Sequence, residues 1–257
     1  MKKTLLLGVL VLSCCVPGFG QDPLLVAEKA KAGDVDAMVK LGGMFYGGGE
    51  QIKQNWRKAA MWYRKAALLG HPQGQFNLGT LYEKGKGVPR NNALAAQWYR
   101  KSANQGNRDA QYRLAGMYES GRGVPKSATK ALHWYAKAAE QNHPLAQYKM
   151  GLMYENGAGV PKDEKRAAEL YRVAAEQNSA EAQHRLGLMY EQGRGVPKDQ
   201  REALKLYSNS MENYYPKGEW AYYRLLERMG MSEDELASFL KAEDKKPSAE
   251  RDAETSK

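Results

Sequence analysis

Cysteine is almost missing from this chain. Its 257 residues hold two, Cys14 and Cys15, both within the first twenty. Everything downstream therefore lacks a disulfide framework, a thiol nucleophile and a thiolate metal site. Histidine is scarce as well: His71, His133, His143 and His184 show no His-x-x-x-His spacing and stand beside no paired carboxylate. Metal-assisted and acid–base chemistry are not expected from such a set, and no cofactor is expected either. Methionine is commoner, and Met117, Met153 and Met189 share a column. Neighbouring helices lie about 8–10 Å apart, too far for shared ligands to converge on one ion, so these are expected to fill a core. Beyond residue 20 no stretch is apolar enough to hold a membrane helix. Carboxylates are outnumbered, 29 against 39 Lys and Arg, for a formal charge of +10.

The first twenty residues differ from the rest. Lys2 and Lys3 precede an apolar run from Leu5 to Leu12, then a small-residue site at Gly18, Phe19 and Gly20. This is the order of an export signal, with cleavage expected after Gly20. The expected location is then the periplasm or the outside of the cell. The other reading is a lipoprotein signal acylated at Cys14 or Cys15, and membrane contact is expected only in that case. Without Lys2 and Lys3 the charge is about +8, which outside the cytoplasm points to acidic proteins, lipid head groups or envelope polyanions rather than nucleic acid.

What the chain does have is a 36-residue period. Leu-Tyr-Glu-Lys-Gly-Lys-Gly-Val-Pro at 81–89 returns with small changes at 117–125, 153–161 and 189–197. A period of this size marks a solenoid of helix pairs, each burying its apolar face against its neighbours. Leu41, Leu78, Leu114, Met150 and Leu186 form one column, and Tyr82, Tyr118, Tyr154 and Tyr190 another four residues on. That spacing makes the stripe of a first helix. Gly79, Ala115, Gly151 and Gly187 lie between, where a small residue lets two helices approach. The second helix carries Trp62, Trp98, Trp134, Leu170 and Leu206, each followed by tyrosine. Asn91, Ser127, Asp163 and Asp199 are expected N-caps, each two residues after a proline. Gly70, Gly106, Asn142 and Asn178 are expected left-handed C-caps; Tyr214 fills that column at the last copy.

The run Ala-Gln-Tyr-x-Leu/Met-Gly-x-Met-Tyr-Glu-x-Gly-x-Gly-Val-Pro, recurring across 110–197, resembles the Sel1-like repeat family, relatives of the tetratricopeptide solenoids. The resemblance implies an all-α, right-handed superhelical solenoid of antiparallel helix pairs. The expected division is a signal over 1–20, an N-terminal capping helix over 21–36 and five repeats over 37–213. A degenerate capping repeat over 214–242, its second helix opened by a Ser232-x-x-Glu235 capping box, and a disordered charged tail over 243–257 complete it. The first copy departs from the pattern: Gly47, Gly48 and Gly49 begin a loop one residue longer, without Val-Pro.

The resemblance also implies a non-enzymatic scaffold or adaptor whose partner is another protein; the chain itself is expected to be monomeric. Some exported relatives neutralise type VI secretion lipases, which makes an immunity protein the alternative. Some cysteine-rich relatives are linked to penicillin binding, and Ser-x-x-Lys does occur at Ser127–Lys130 and Ser238–Lys241. Ser127 however falls in the N-cap column, and the companion motifs are missing, so no hydrolase is expected. The partner-binding candidates lie opposite the apolar stripe of the first helices. One column is Phe76, Tyr112, Tyr148 and His184; its neighbour is Lys40, Asn77, Arg113, Lys149 and Arg185. Aromatic and forked cationic groups are the usual interface anchors. Glu83, Glu119, Glu155 and Glu191 form an acidic column on another flank. The competing expectation is that both charge columns are solvated or paired between repeats.

Overall fold

The computed structural model describes residues 22–49, 51–232 and 235. Among them lie twelve helices and no strand. A short helix α1 (Pro23–Lys31) precedes five pairs: α2 (Val35–Gly47) with α3 (Trp56–Leu68), α4 (Pro72–Lys84) with α5 (Asn92–Asn104), α6 (Arg108–Ser120) with α7 (Ala128–Glu140), α8 (Pro144–Asn156) with α9 (Glu164–Glu176), and α10 (Ala180–Gln192) with α11 (Gln200–Glu212). Helix α12 (Pro216–Met229) follows. The architecture is the all-α right-handed solenoid of antiparallel helix pairs. The expected signal over 1–20, the charged tail over 243–257 and the second Ser-x-x-Lys lie outside the described residues.

Local chemistry sets the ends of each helix. Asn91, Ser127, Asp163 and Asp199 each accept a backbone N–H of the first turn through the side chain, an arrangement that contributes about 1 kcal/mol per cap. The partner of Ser127 Oγ is the backbone N–H of Lys130, at 3.3 Å. That Ser-x-x-Lys is a helix cap. At the other ends Asn142, Asn178 and Tyr214 hold φ of 56°, 61° and 59°. Asparagine enters this left-handed region more readily than other side chains, whereas tyrosine is an uncommon occupant. Ser232 and Glu235 exchange the two bonds of a capping box, 2.8 Å and 3.3 Å from the backbone nitrogens.

The Gly-x-Gly-Val-Pro loop is the joint between repeats. Its valines Val88, Val124 and Val196 pack on the cores. Its second glycine touches the preceding second helix: a Cβ on Gly123 would stand 2.3 Å from the Asn92 carbonyl oxygen. Each loop closes with a backbone bond from the cap to the tyrosine nine residues earlier, as from Asn91 N–H to the Tyr82 carbonyl at 2.9 Å. In the first copy the same bond, Asn55 to Phe45 at 2.7 Å, spans ten, so the longer loop closes on the equivalent carbonyl.

The core lies between first and second helices, as a series of clusters along the solenoid. Ala95, Tyr99 and Ala103 of α5 are fully or almost fully buried, as are Tyr135, Tyr171 and Tyr207 in their own helices. Met117, Met153 and Met189 are buried among them. The small-residue column receives the tyrosines. A Cβ on Gly151 would stand 2.5 Å from the Tyr171 ring, and one on Gly187 would stand 2.6 Å from Tyr207.

Candidate protein-binding surface

The site must be built from the first helices α4, α6, α8 and α10, which carry the candidate columns side by side. The aromatic column lies half-buried, not free. Phe76, Tyr112, Tyr148 and His184 each rest on the deeply buried tyrosine of the following second helix, with ring centroids 5.7, 5.7, 5.8 and 5.8 Å apart. Tyr112 also stacks on His143 at 4.6 Å. His184 is buried outright, with its other edge against Tyr215. Burial, aided by the cations of Arg185, Lys217 and Arg224, pushes its imidazole pKa down to about 4. It is neutral at physiological pH and contributes a flat apolar ring.

The basic column divides. Lys149 Nζ lies 3.1 Å from Glu119 Oε2, and Arg185 lies 3.8 Å from Glu155. Both bonds run from one first helix to the previous one. Asn77 accepts a hydrogen bond from Gln73 within its own helix at 3.0 Å. Arg113 and Lys40 remain exposed.

The acidic column has a structural role not assigned to it from the sequence. Tyr99, Tyr135, Tyr171 and Tyr207 each donate a hydroxyl hydrogen to Glu83, Glu119, Glu155 and Glu191, all at 2.7 Å. Burial, followed by the carboxylate itself, pushes the hydroxyls of Tyr135, Tyr171 and Tyr207 well above the usual tyrosine range. They stay protonated and serve as donors. Arg194 adds a forked pair on Glu155 at 3.1 Å, and Arg224 and Arg228 close on Glu191 at 2.8 and 2.6 Å. The signal existed: the glutamate and tyrosine columns keep a sixteen-residue offset through four copies.

A second ladder was also missed. Buried Gln75, Gln111, Gln147 and Gln183 each donate to a second-helix carbonyl eight residues back, at 3.1–3.4 Å. Their own carbonyls accept from Gln105, Gln141, Gln177 and Asn213 thirty residues on, at 2.6–3.2 Å.

Two histidines each meet a single carboxylate, not a pair. His71 caps α4 through Nδ1, which accepts from Gln73 and Gly74, so Nε2 carries the proton and donates to Asp36 at 2.8 Å. His143 caps α8 in the same way and lies 3.5 Å from Asp109. These are joints between repeats. Among the described residues no group of three or more His, Cys, Asp or Glu is placed to hold a metal ion, and no helix is long and apolar enough to cross a membrane.

Five consecutive segments, 35–71, 72–107, 108–143, 144–179 and 180–210, match the family model described as the Sel1 repeat. The chain belongs to the Sel1 repeat family. A Sel1 repeat protein from Oxalobacter formigenes is 35% identical over 75% of this chain and 85% of its own, with a TM-score of 0.68. A protective antigen of uropathogenic Escherichia coli strains, displaying an SLR fold, is 28% identical over 85% of this chain with a TM-score of 0.70. The match spans 54% of that antigen's length. A Sel1 repeat protein of Klebsiella pneumoniae, 22% identical over 79% of this chain and 98% of its own with a TM-score of 0.51, shares the fold. No curated protein matches the chain significantly. Sel1 repeat proteins are protein-interaction scaffolds, and the family is typically non-enzymatic.

Proposed function

We propose that this Sel1 repeat protein is an exported scaffold of the bacterial periplasm or envelope, and that it binds another protein along the face made by α4, α6, α8 and α10. The observation that carries this reading is the row of aromatic rings held in place by the buried tyrosines, 5.7–5.8 Å away. An anchor already immobilised loses little entropy when a partner arrives. Arg113 and Lys40 supply exposed cations beside the row, and Leu145 is an exposed apolar contact on it. Lys149 and Arg185 serve mainly to hold consecutive repeats in register. Export rests on the charged and apolar order of residues 2–12.

The test is cross-linking of the protein to its partners in intact cells, with Tyr112, Arg113, Tyr148 and Lys149 replaced together by alanine. Tyr112 and Lys149 also hold their neighbours, so helicity and melting are followed in parallel. Arg113→Glu, at an exposed position, supplies a variant that leaves the packing intact. One dominant partner lost in both folded variants supports the reading, and a lipase as that partner would make the protein an immunity protein. A partner retained by both would remove this face from consideration.

A further inference from the structure

The solenoid is not equally polar along its length. Of the eleven large apolar side chains exposed among the described residues, six (Leu24, Leu25, Trp56, Met61, Leu68 and Leu69) belong to α1, α3 and the residue after α3. Leu68 and Leu69 are 69% and 62% exposed. The same helix α3 carries Arg57, Lys58, Arg64 and Lys65 and no acidic residue. None of these four cations has a carboxylate partner among the described residues. Lys58 and Lys65 lie instead over the Phe45 and Trp62 rings, 5.2 and 4.4 Å from their centroids. The later second helices α7, α9 and α11 carry both signs of charge, and α5 exposes no large apolar side chain.

A cavity of about 800 Å³ opens beside this face, between α1, α2 and α3. Phe45, Ile52, Met61 and Trp62 line its apolar wall, and Lys31 and Lys58 are among its polar residues. Its origin is a short helix. Helices α2 to α11 have thirteen residues each, whereas α1 has nine. The starts of α1 and α2 are twelve residues apart, where those of α5 and α6 are sixteen. Relative to a regular repeat, α1 lacks about 6 Å of helix at its beginning, and Asp22, Pro23 and Leu24 border the resulting space.

We propose that the α1–α3 end is a docking face for an anionic phospholipid bilayer, independent of any acylation of Cys14 or Cys15. Trp56, Met61 and Leu68 enter the head-group boundary, Arg57, Lys58, Arg64 and Lys65 meet the phosphates, and the cavity receives an acyl chain. A cationic helix with exposed Trp, Met and Leu has the composition of an interfacial helix. An acidic protein would match the cations but leave the apolar cavity unfilled, whereas an anionic lipid supplies both chemistries. The proposal does not depend on the protein-binding face of α4–α10, and neither result decides the other.

The experiment is co-sedimentation of the chain from Asp22 onwards, which retains every described helix, with phosphatidylethanolamine/phosphatidylglycerol vesicles and with phosphatidylcholine vesicles. Binding to the anionic vesicles, weakened by salt and absent from phosphatidylcholine, is expected. Arg57→Gln/Arg64→Gln should lower partitioning about 25-fold, roughly fivefold per cation. Met61→Glu/Leu68→Glu should abolish it while circular dichroism stays unchanged, because both positions are exposed. No binding to the anionic vesicles overturns the proposal, as does binding that either folded variant retains in full. An acidic protein captured through α3 in the absence of vesicle binding overturns it too, by assigning the face to a protein.

Discussion

The Tyr171 hydroxyl donates to Glu155 Oε2 at 2.7 Å, from the second helix of one pair back to the first. Both residues are buried, and Arg185 and Arg194 hold the same carboxylate from the next repeat. One carboxylate thus joins the two helices of a pair and two successive pairs. A buried charge is tolerated only when such partners replace its water. Tyr171→Phe removes one of them while keeping the ring against Gly151. A hydrogen bond to a charged group contributes about 1.5–3 kcal/mol, and urea denaturation should show a loss in that range. A loss below about 0.5 kcal/mol would mean that the arginines satisfy Glu155 unaided.

Gly106 and Gly123 both have positive φ, 87° and 72°, but only Gly123 is tightly enclosed. Nothing lies within 4 Å of a Cβ on Gly106, whereas one on Gly123 would meet the Asn92 carbonyl oxygen at 2.3 Å. Gly106→Ala should therefore show the left-handed strain alone, about 1–2 kcal/mol. Gly123→Ala adds a backbone clash that no rotamer relieves and should cost at least about 2 kcal/mol more. Comparable denaturation midpoints for the two would show that the loop yields at little cost.

His184 gives the protein an acid sensitivity with a defined sign. Its pKa falls from 6.5 to about 4 on folding, chiefly through burial. Between those values the unfolded chain binds a proton that the folded chain refuses, so stability falls as pH falls. The effect is absent above about pH 7 and complete below about pH 4. At pH 4.5 this shift corresponds to a loss of about 2.5 kcal/mol relative to pH 7. His184→Phe, which restores the ring found at Phe76, should remove that part of the pH dependence. Denaturation midpoints at pH 7 and 4.5 for both proteins measure it, and parallel losses would assign the acid sensitivity elsewhere.

Much of this architecture was legible because it is local and repeated. The caps at Asn91, Ser127, Asp163 and Asp199 and the left-handed Asn142 and Asn178 depend on neighbours within a few residues. The tyrosine–glutamate and glutamine ladders were not read, because their partners stand sixteen and thirty residues apart. Which polar columns meet depends on the rotation of one helix against the next, and hydrophobic periodicity leaves that angle open. The Asp36–His71 and Asp109–His143 contacts were hidden for another reason. They occur in two copies only, so no column announced them. The basic ladder stayed open between two readings because Lys149 and Arg185 are free in a single repeat and paired only once a neighbour is stacked on it.

Gln147 tests whether the repeats fold as one unit. Its amide donates to the Ala139 carbonyl at 3.4 Å and accepts from Gln177 at 2.6 Å, so one side chain on α8 ties the end of α7 in the preceding repeat to the end of α9 in its own. In a chain of this kind, stability is approximately a sum of repeat terms and nearest-neighbour interface terms. Gln147→Leu keeps the volume but removes both bonds; the Ala139 carbonyl keeps the Asn142 N–H and the Gln177 amide keeps the Val173 carbonyl, so the cost is the net value of the two bonds, about 0.5–1.5 kcal/mol each. A central interface weakened by that much lets the halves on either side melt separately. Hydrogen exchange should then show lower protection in α8 and α9 than in α4 and α5, and the denaturation transition should broaden. A uniform drop in protection with an unchanged slope would show instead that coupling across the remaining contacts, the Glu119–Lys149 and Glu155–Arg185 pairs among them, is strong enough to keep the solenoid a single cooperative unit.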